Sequence, residues 1–147
     1  MNLITYVTVT NHYHEVYRFR SVGPTGSIEK VVYYQEIDEN FFNIVFGDWE
    51  RDLGRADEYA RSNNNDRDKI LATVAFTVFD FMRCHPRAIV FAKGNTPAKT
   101  RLYQMGISKY LNTINQSFDI EGFSGSKWEP FVPGRNYRAF MLRPRQI

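Results

Sequence analysis

The stretch between Asn63 and Pro86 constrains the fold most, because it carries an apolar stripe with helical spacing. Ile70, Leu71, Val74, Ala75, Val78, Phe81 and Met82 recur at steps of three and four residues, and Phe76 and Phe79 widen the stripe. That pattern predicts a helix covered on more than one side. Asn63-Asn64-Asn65-Asp66 supplies N-cap candidates ahead of it, since a side-chain oxygen there accepts from the exposed first N–H groups. His85-Pro86 ends it, because the residue before proline is pushed out of the α region. Just beyond lies Ala88–Ala92 (Ala-Ile-Val-Phe-Ala), a run of strand length that is apolar throughout. Continuous rather than alternating apolarity suits an interior strand reached by a helical crossover. Helix and strand together demand a sheet.

The remaining chain offers one. Thr5–Thr10 alternates weakly and Val16–Ser21 more clearly, followed by a turn at Gly23, Pro24 and Gly26. Ile28–Ile37, rich in Val and Tyr, forms a hairpin with Val16–Ser21, and after Asp38-Glu39-Asn40 a third strand follows at Phe41–Phe46. Asp48–Asp66 reads as a long polar connection with room for a short helix near Ala56–Arg61. Gly94-Asn95-Thr96-Pro97 opens a second helix, with proline suited to its first position. Leu102, Tyr103, Ile107, Tyr110, Leu111 and Ile114 form its apolar face to about Ile114. Phe118–Phe123 and Tyr137–Leu142 read as strands, and Trp128-Glu129-Pro130-Phe131 as an aromatic connection.

The order β-β-β-α-β-α-β-β, with room for an extra N-terminal strand, predicts an α+β fold. It has a single mixed, largely antiparallel sheet with two main helices packed on it. Phe41–Phe46, the first helix and Ala88–Ala92 form a βαβ crossover, right-handed by the general rule. At 147 residues the chain is expected to be one soluble domain, 1–147. A meander followed by αβα is also the element order of ribonuclease-H-like folds, and the resemblance is one of order only. Such folds carry acids on the first strand, the first helix and the fourth strand, whereas the matching strands Tyr17–Arg20 and Ala88–Ala92 contain none.

Charge divides the chain. Residues 1–82 hold 8 Lys/Arg against 13 Asp/Glu, while residues 83–147 hold 11 Lys/Arg against Asp119, Glu121 and Glu129. The C-terminal half thus offers a basic surface for an anionic partner, unless the two halves neutralise each other in the fold. No apolar run approaches the ~18 residues of a membrane span, and Met1–Asn11 lacks the pattern of a secretory signal. Cys84 is the sole cysteine, which excludes an internal disulfide and fits the cytoplasm.

The best candidate site is Lys93, Gly94, Asn95, Thr96, Lys99, Thr100 and Arg101, where a strand turns through glycine into a helix. Helix N–H groups and three cationic side chains there would attract phosphate or another anion. The run lacks the second glycine of a P-loop, and its plain account is a capped helix start with solvated cations. A second candidate is a nucleic-acid surface of Arg18, Arg20, Arg135, Arg138 and Arg143 with exposed aromatics, which would pair phosphates and stack bases. Asp48, Glu50, Asp52, Asp57, Glu58, Asp66 and Asp68 read as a solvated acidic loop without the spacing of a calcium site. His12 and His14 share a side of an extended stretch but lack further ligands in sequence, and Cys84 beside His85 reads as a structural thiol. Trp128, Glu129 and Phe131 look like a packing plug, with Trp128 able to anchor a partner. No catalytic constellation, metal or cofactor is predicted.

Five runs carry a family resemblance: Tyr17–Lys30, Phe42–Asp48, Asn64–Ala75, Gly94–Tyr103 and Trp128-Glu129. Together they resemble a family of small uncharacterised proteins, mostly of Bacteroidetes-type bacteria, classed as a domain of unknown function. The resemblance implies a bacterial cytoplasmic protein and brings no activity with it. The expected role is a noncatalytic binding module, with nucleic acid or another anion as ligand, or with a protein partner in a toxin–antitoxin or defence pair. The alternative is an enzyme on a phosphate-bearing substrate, with an acid such as Asp48 beside the Gly94–Arg101 turn.

Overall fold

The computed structural model describes residues 4–52, 54–57 and 64–145. Three long strands, β2 (Val16–Gly23), β3 (Gly26–Asp38) and β4 (Phe41–Glu50), form the expected antiparallel meander, preceded by β1 (Val9–Thr10) on the edge. The first hairpin closes with Gly23 opposite Gly26, whose φ of 96° is left-handed, a conformation glycine adopts without a Cβ clash. The second closes at Asn40, at φ 57°, after an irregularity between Glu36 and Asp38.

Helix α1 (Arg67–Cys84) crosses to β6 (Ile89–Ala92), which pairs parallel with β4 over Phe41–Asn43. The remaining elements are α2 (Pro97–Lys109), α3 (Leu111–Ile114), β7 (Phe118–Phe123), β8 (Trp128–Pro130) and β9 (Ala139–Pro144). The strand order is β1-β2-β3-β4-β6-β9-β7-β8, with β5 (Arg55–Asp57) paired to β4 beyond the end of β6. Every other pairing in this path is antiparallel. The fold is α+β with one mixed, largely antiparallel sheet.

Both long helices cover one face of that sheet. Phe81, fully buried on α1, stacks on Tyr34 of β3 at 4.0 Å and meets Phe42 of β4 edge-on at 4.9 Å. Tyr103 and Ile107 of α2 join the same cluster with Val90, Ala92 and Leu142. Alternation along the strands sends the other residues to the opposite face. Arg18 and Arg20 are exposed there on β2, and Phe91 is half-buried there on β6.

Several boundaries differ from the sequence reading. Thr5–Thr10 contributes only the two residues of β1. Trp128–Pro130 is an edge strand, with Pro130 opposite Glu121, because proline's missing N–H is harmless on an edge. The second helix breaks at Tyr110. The final strand is Ala139–Pro144 rather than Tyr137–Leu142. Ala56 and Asp57, assigned to a short helix, lie in β5; the rest of that segment and Asn63 fall outside the described residues. Asp66 occupies the N-cap position of α1 without a side-chain capping bond. Its carboxylate accepts instead from the hydroxyls of Tyr6 and Ser21.

Candidate functional site

The handover from β6 to α2 is tightly built. Gly94 N–H donates to Thr100 Oγ1 at 3.0 Å, and a Cβ on Gly94 would lie 2.3 Å from the Thr100 nitrogen. Only glycine lets strand and helix approach so closely. Thr96 caps α2 by accepting from Lys99 N–H at 3.1 Å, with Pro97 at the start of the helix. The helix therefore satisfies part of its own N-terminus, and its dipole end is a weaker anion cradle than the sequence suggests.

Beside this handover lies an open cleft of about 1390 Å³. Lys93, Gly94, Asn95, Thr96, Thr100 and Arg101 line it. Phe91, Phe123, Trp128 and Arg138 line it as well. Lys99, assigned to the same cradle, is absent from this lining. Its ammonium donates to the Phe46 carbonyl at 2.8 Å and lies 4.8 Å from the Phe46 ring. The cause is the sheet edge: β6 flanks β4 over residues 41–43 and β5 over 48–50, leaving Phe46 between them.

The aromatic residues of the cleft form a continuous cluster. Trp128, 37% exposed, lies 5.3 Å from Phe123 and 6.1 Å from Phe91, between ring centroids. Phe91 in turn lies 6.1 Å from Phe41. Trp128 belongs to β8 and Phe91 to β6, with β9 and β7 between them in the sheet. Ala139, which pairs with Phe123, also lines the cleft; its small side chain leaves room for the rings.

Gln104, another lining residue, is one that sequence reasoning did not select. Its amide oxygen accepts from Tyr137 N–H at 3.2 Å, and its amide nitrogen donates to the Arg135 carbonyl. Those bonds tie the 131–138 loop to α2. Arg138 N–H donates to the Phe123 carbonyl at 2.8 Å, and the Arg138 guanidinium lies against Gly125. A lone glutamine on an amphipathic helix carries no sequence signal for this role.

The arginines of the second candidate surface do not converge. Arg18 and Arg20 sit on β2, separated from β9 by β3, β4 and β6, a span of about 20 Å at ~4.8 Å per strand. Arg18 lies over the Trp49 ring at 4.1 Å. Arg135 pairs with Glu129, and Arg143 with Glu121 at 2.8 Å. Arg145 pairs with Asp119 at 3.4 Å, so each acid of the C-terminal half has an arginine of its own half. Arg83–Asp80 and Lys109–Asp68 join the two halves. Lys93, Arg101 and Arg138 have no ion pair among the described residues, and all three line the cleft.

Asp48, the acid considered as a base beside the turn, is not in the cleft lining and pairs with Lys30. The carboxylate that does line the cleft among the described residues is Asp68, 3.4 Å from Lys109.

A separate polar cluster forms at the other end of α1. His14 Nδ1 lies 2.7 Å from Asp80 Oδ2, which also accepts from the Tyr17 hydroxyl at 2.8 Å. Arg83 donates to the other carboxylate oxygen at 2.9 Å. Burial alone would raise the Asp80 carboxyl, but the bonds from His14, Tyr17 and Arg83 outweigh it and hold it below its ordinary value. Burial, aided by the Asp80 carboxylate, pushes the Tyr17 hydroxyl far up. Cys84 completes the group.

No curated protein and no solved structure matches this chain. No helix among the described residues is long and apolar enough to cross a membrane. Residues 2–145 match the model of a family of unknown function, DUF6934, and the chain belongs to that family.

Proposed function

We propose that this protein is a noncatalytic binding module whose cleft takes a single strand of nucleic acid. The observation that carries the reading is the juxtaposition in one cleft of three cations without carboxylate partners among the described residues, Lys93, Arg101 and Arg138, with the Phe91–Trp128–Phe123 cluster. Cations pair with successive phosphates, while exposed rings stack bases regardless of sequence. A half-exposed tryptophan that shares a cleft with the Arg101 and Arg138 guanidinium groups serves both needs. In keeping with the single cysteine and the family resemblance, the setting is the cytoplasm of a Bacteroidetes-type bacterium.

Fluorescence anisotropy with labelled single-stranded RNA and DNA 12-mers at low salt tests the proposal. The wild type retards tumbling of the probe, and the combined Lys93→Ala, Arg101→Ala and Arg138→Ala variant does not. Arg18→Ala with Arg20→Ala, on the distant β2, retains binding. Absence of binding by the wild type, or equal binding by the cleft variant, overturns the assignment. Trp128→Ala weakens binding about tenfold, since one lost stacking contact is worth about 1–3 kcal/mol and about 1.4 kcal/mol is a decade.

A further inference from the structure

We propose that His14, Asp80 and Cys84 form a binding site for a divalent transition-metal ion, with zinc the best suited. One donor atom from each residue lies within 4.8 Å of the other two. Asp80 and Cys84 stand four residues apart in the last turns of α1, so they share a helix face. His14 arrives from the loop before β2, more than sixty residues away in sequence. A nitrogen, an oxygen and a sulfur donor suit a borderline-soft cation, whereas magnesium and calcium require oxygen ligands throughout.

The loop that carries His14 is built to aim it. His14 adopts φ 54°, a left-handed conformation that costs a non-glycine residue free energy and persists only where its surroundings enforce it. His14 N–H donates to the Asn11 carbonyl at 3.1 Å. The Asn11 side-chain oxygen accepts from Glu15 N–H at 2.8 Å and Val16 N–H at 3.2 Å. The loop is also tied to the end of α1, through His85 Nε2 and the Tyr13 carbonyl at 2.8 Å.

Outer contacts orient the carboxylate. Tyr17 and Arg83 each hold an Asp80 oxygen, as partners beyond the ligands commonly do at metal centres. The His14 side chain is 36% exposed and that of Asp80 14%, so an ion can reach the donors from solvent.

Donors about 2.0–2.3 Å from a tetrahedral ion lie about 3.3–3.6 Å apart. The His14–Asp80 contact of 2.7 Å must therefore open slightly, while Cys84 draws inward. Binding converts the Cys84 thiol to thiolate and releases its proton to solvent. Thiolate and carboxylate then balance the two positive charges, His14 binds as the neutral imidazole, and water takes the fourth position. This site is independent of the cleft.

Cobalt(II), added to the full chain under a phosphine reductant, is the probe. One ion per chain is expected to give a thiolate-to-cobalt charge-transfer absorption and the intense visible bands of tetrahedral cobalt, both abolished by added zinc. Cys84→Ser removes the charge-transfer absorption. His14→Gln weakens binding more than about tenfold, and His12→Gln leaves it unchanged. In the wild type, zinc also protects Cys84 from a disulfide thiol reagent, a readout that survives if Cys84→Ser fails to fold. An unaltered hexaaqua cobalt spectrum, equal affinity in His14→Gln, or no protection of the thiol would each refute the site and leave a hydrogen-bonded clip.

Discussion

Asn64 joins three pieces of the chain at once. Buried at 3% exposure, it donates to Ser21 Oγ at 3.1 Å and to the Gly26 carbonyl at 2.8 Å, and accepts from Thr25 N–H at 2.8 Å. It thereby fixes the first hairpin against the start of α1. Asn64→Ala strands these buried groups and is expected to cost about 2 kcal/mol, read as a lower urea midpoint at unchanged slope. Tyr34 makes a second test at this scale. Its hydroxyl meets Thr77 Oγ1 at 2.9 Å, and burial raises its pKa above the ordinary 10.0. Because the folded value exceeds the unfolded one, the stabilisation is complete below pH ~10 and is lost as pH rises beyond it. Urea midpoints between pH 8 and 11 should fall more steeply for the wild type than for Tyr34→Phe. Such roles are hidden in the sequence: Asn64 reads as a cap, and Lys99 as an anion ligand, because the groups they meet lie far along the chain.

At the scale of elements, the strongest sequence signals are realised in the fold. The α1 stripe, the apolar β6 and the Gly94–Pro97 handover are all present, because each is specified by local spacing, capping or glycine freedom. Phe81 shows what the stripe does, closing against Tyr34 and Phe42 with no exposed surface. Phe81→Ala should cost about 3–5 kcal/mol, measured by reversible denaturation. Gly94→Ala is expected to damage the β6–α2 junction, since its Cβ meets backbone. The elements that were not legible, β5 and β8, are three residues each. Their pairing depends on which strand edge is open, and only the assembled sheet decides that. Asp80 and Cys84 share a helix face by spacing alone, yet nothing local announces that His14 will lie over them.

Over the whole molecule, the charge division persists selectively. Arg135, Arg143 and Arg145 spend their charge on nearby acids, whereas Lys93, Arg101 and Arg138 face the cleft. Three phosphate contacts to a single strand give a slope of about −2 for log K against log salt, and Arg138→Ala should reduce its magnitude by about 0.7. The sequence contains two tryptophans, Trp49 and Trp128, and only Trp128 lines the cleft. The most direct measurement is therefore tryptophan fluorescence of the Trp49→Phe variant during titration with an unlabelled single-stranded 12-mer. Saturable quenching that weakens with added salt is the expected result. Fluorescence unchanged at oligonucleotide concentrations that saturate binding by anisotropy would place the strand elsewhere and contradict the account.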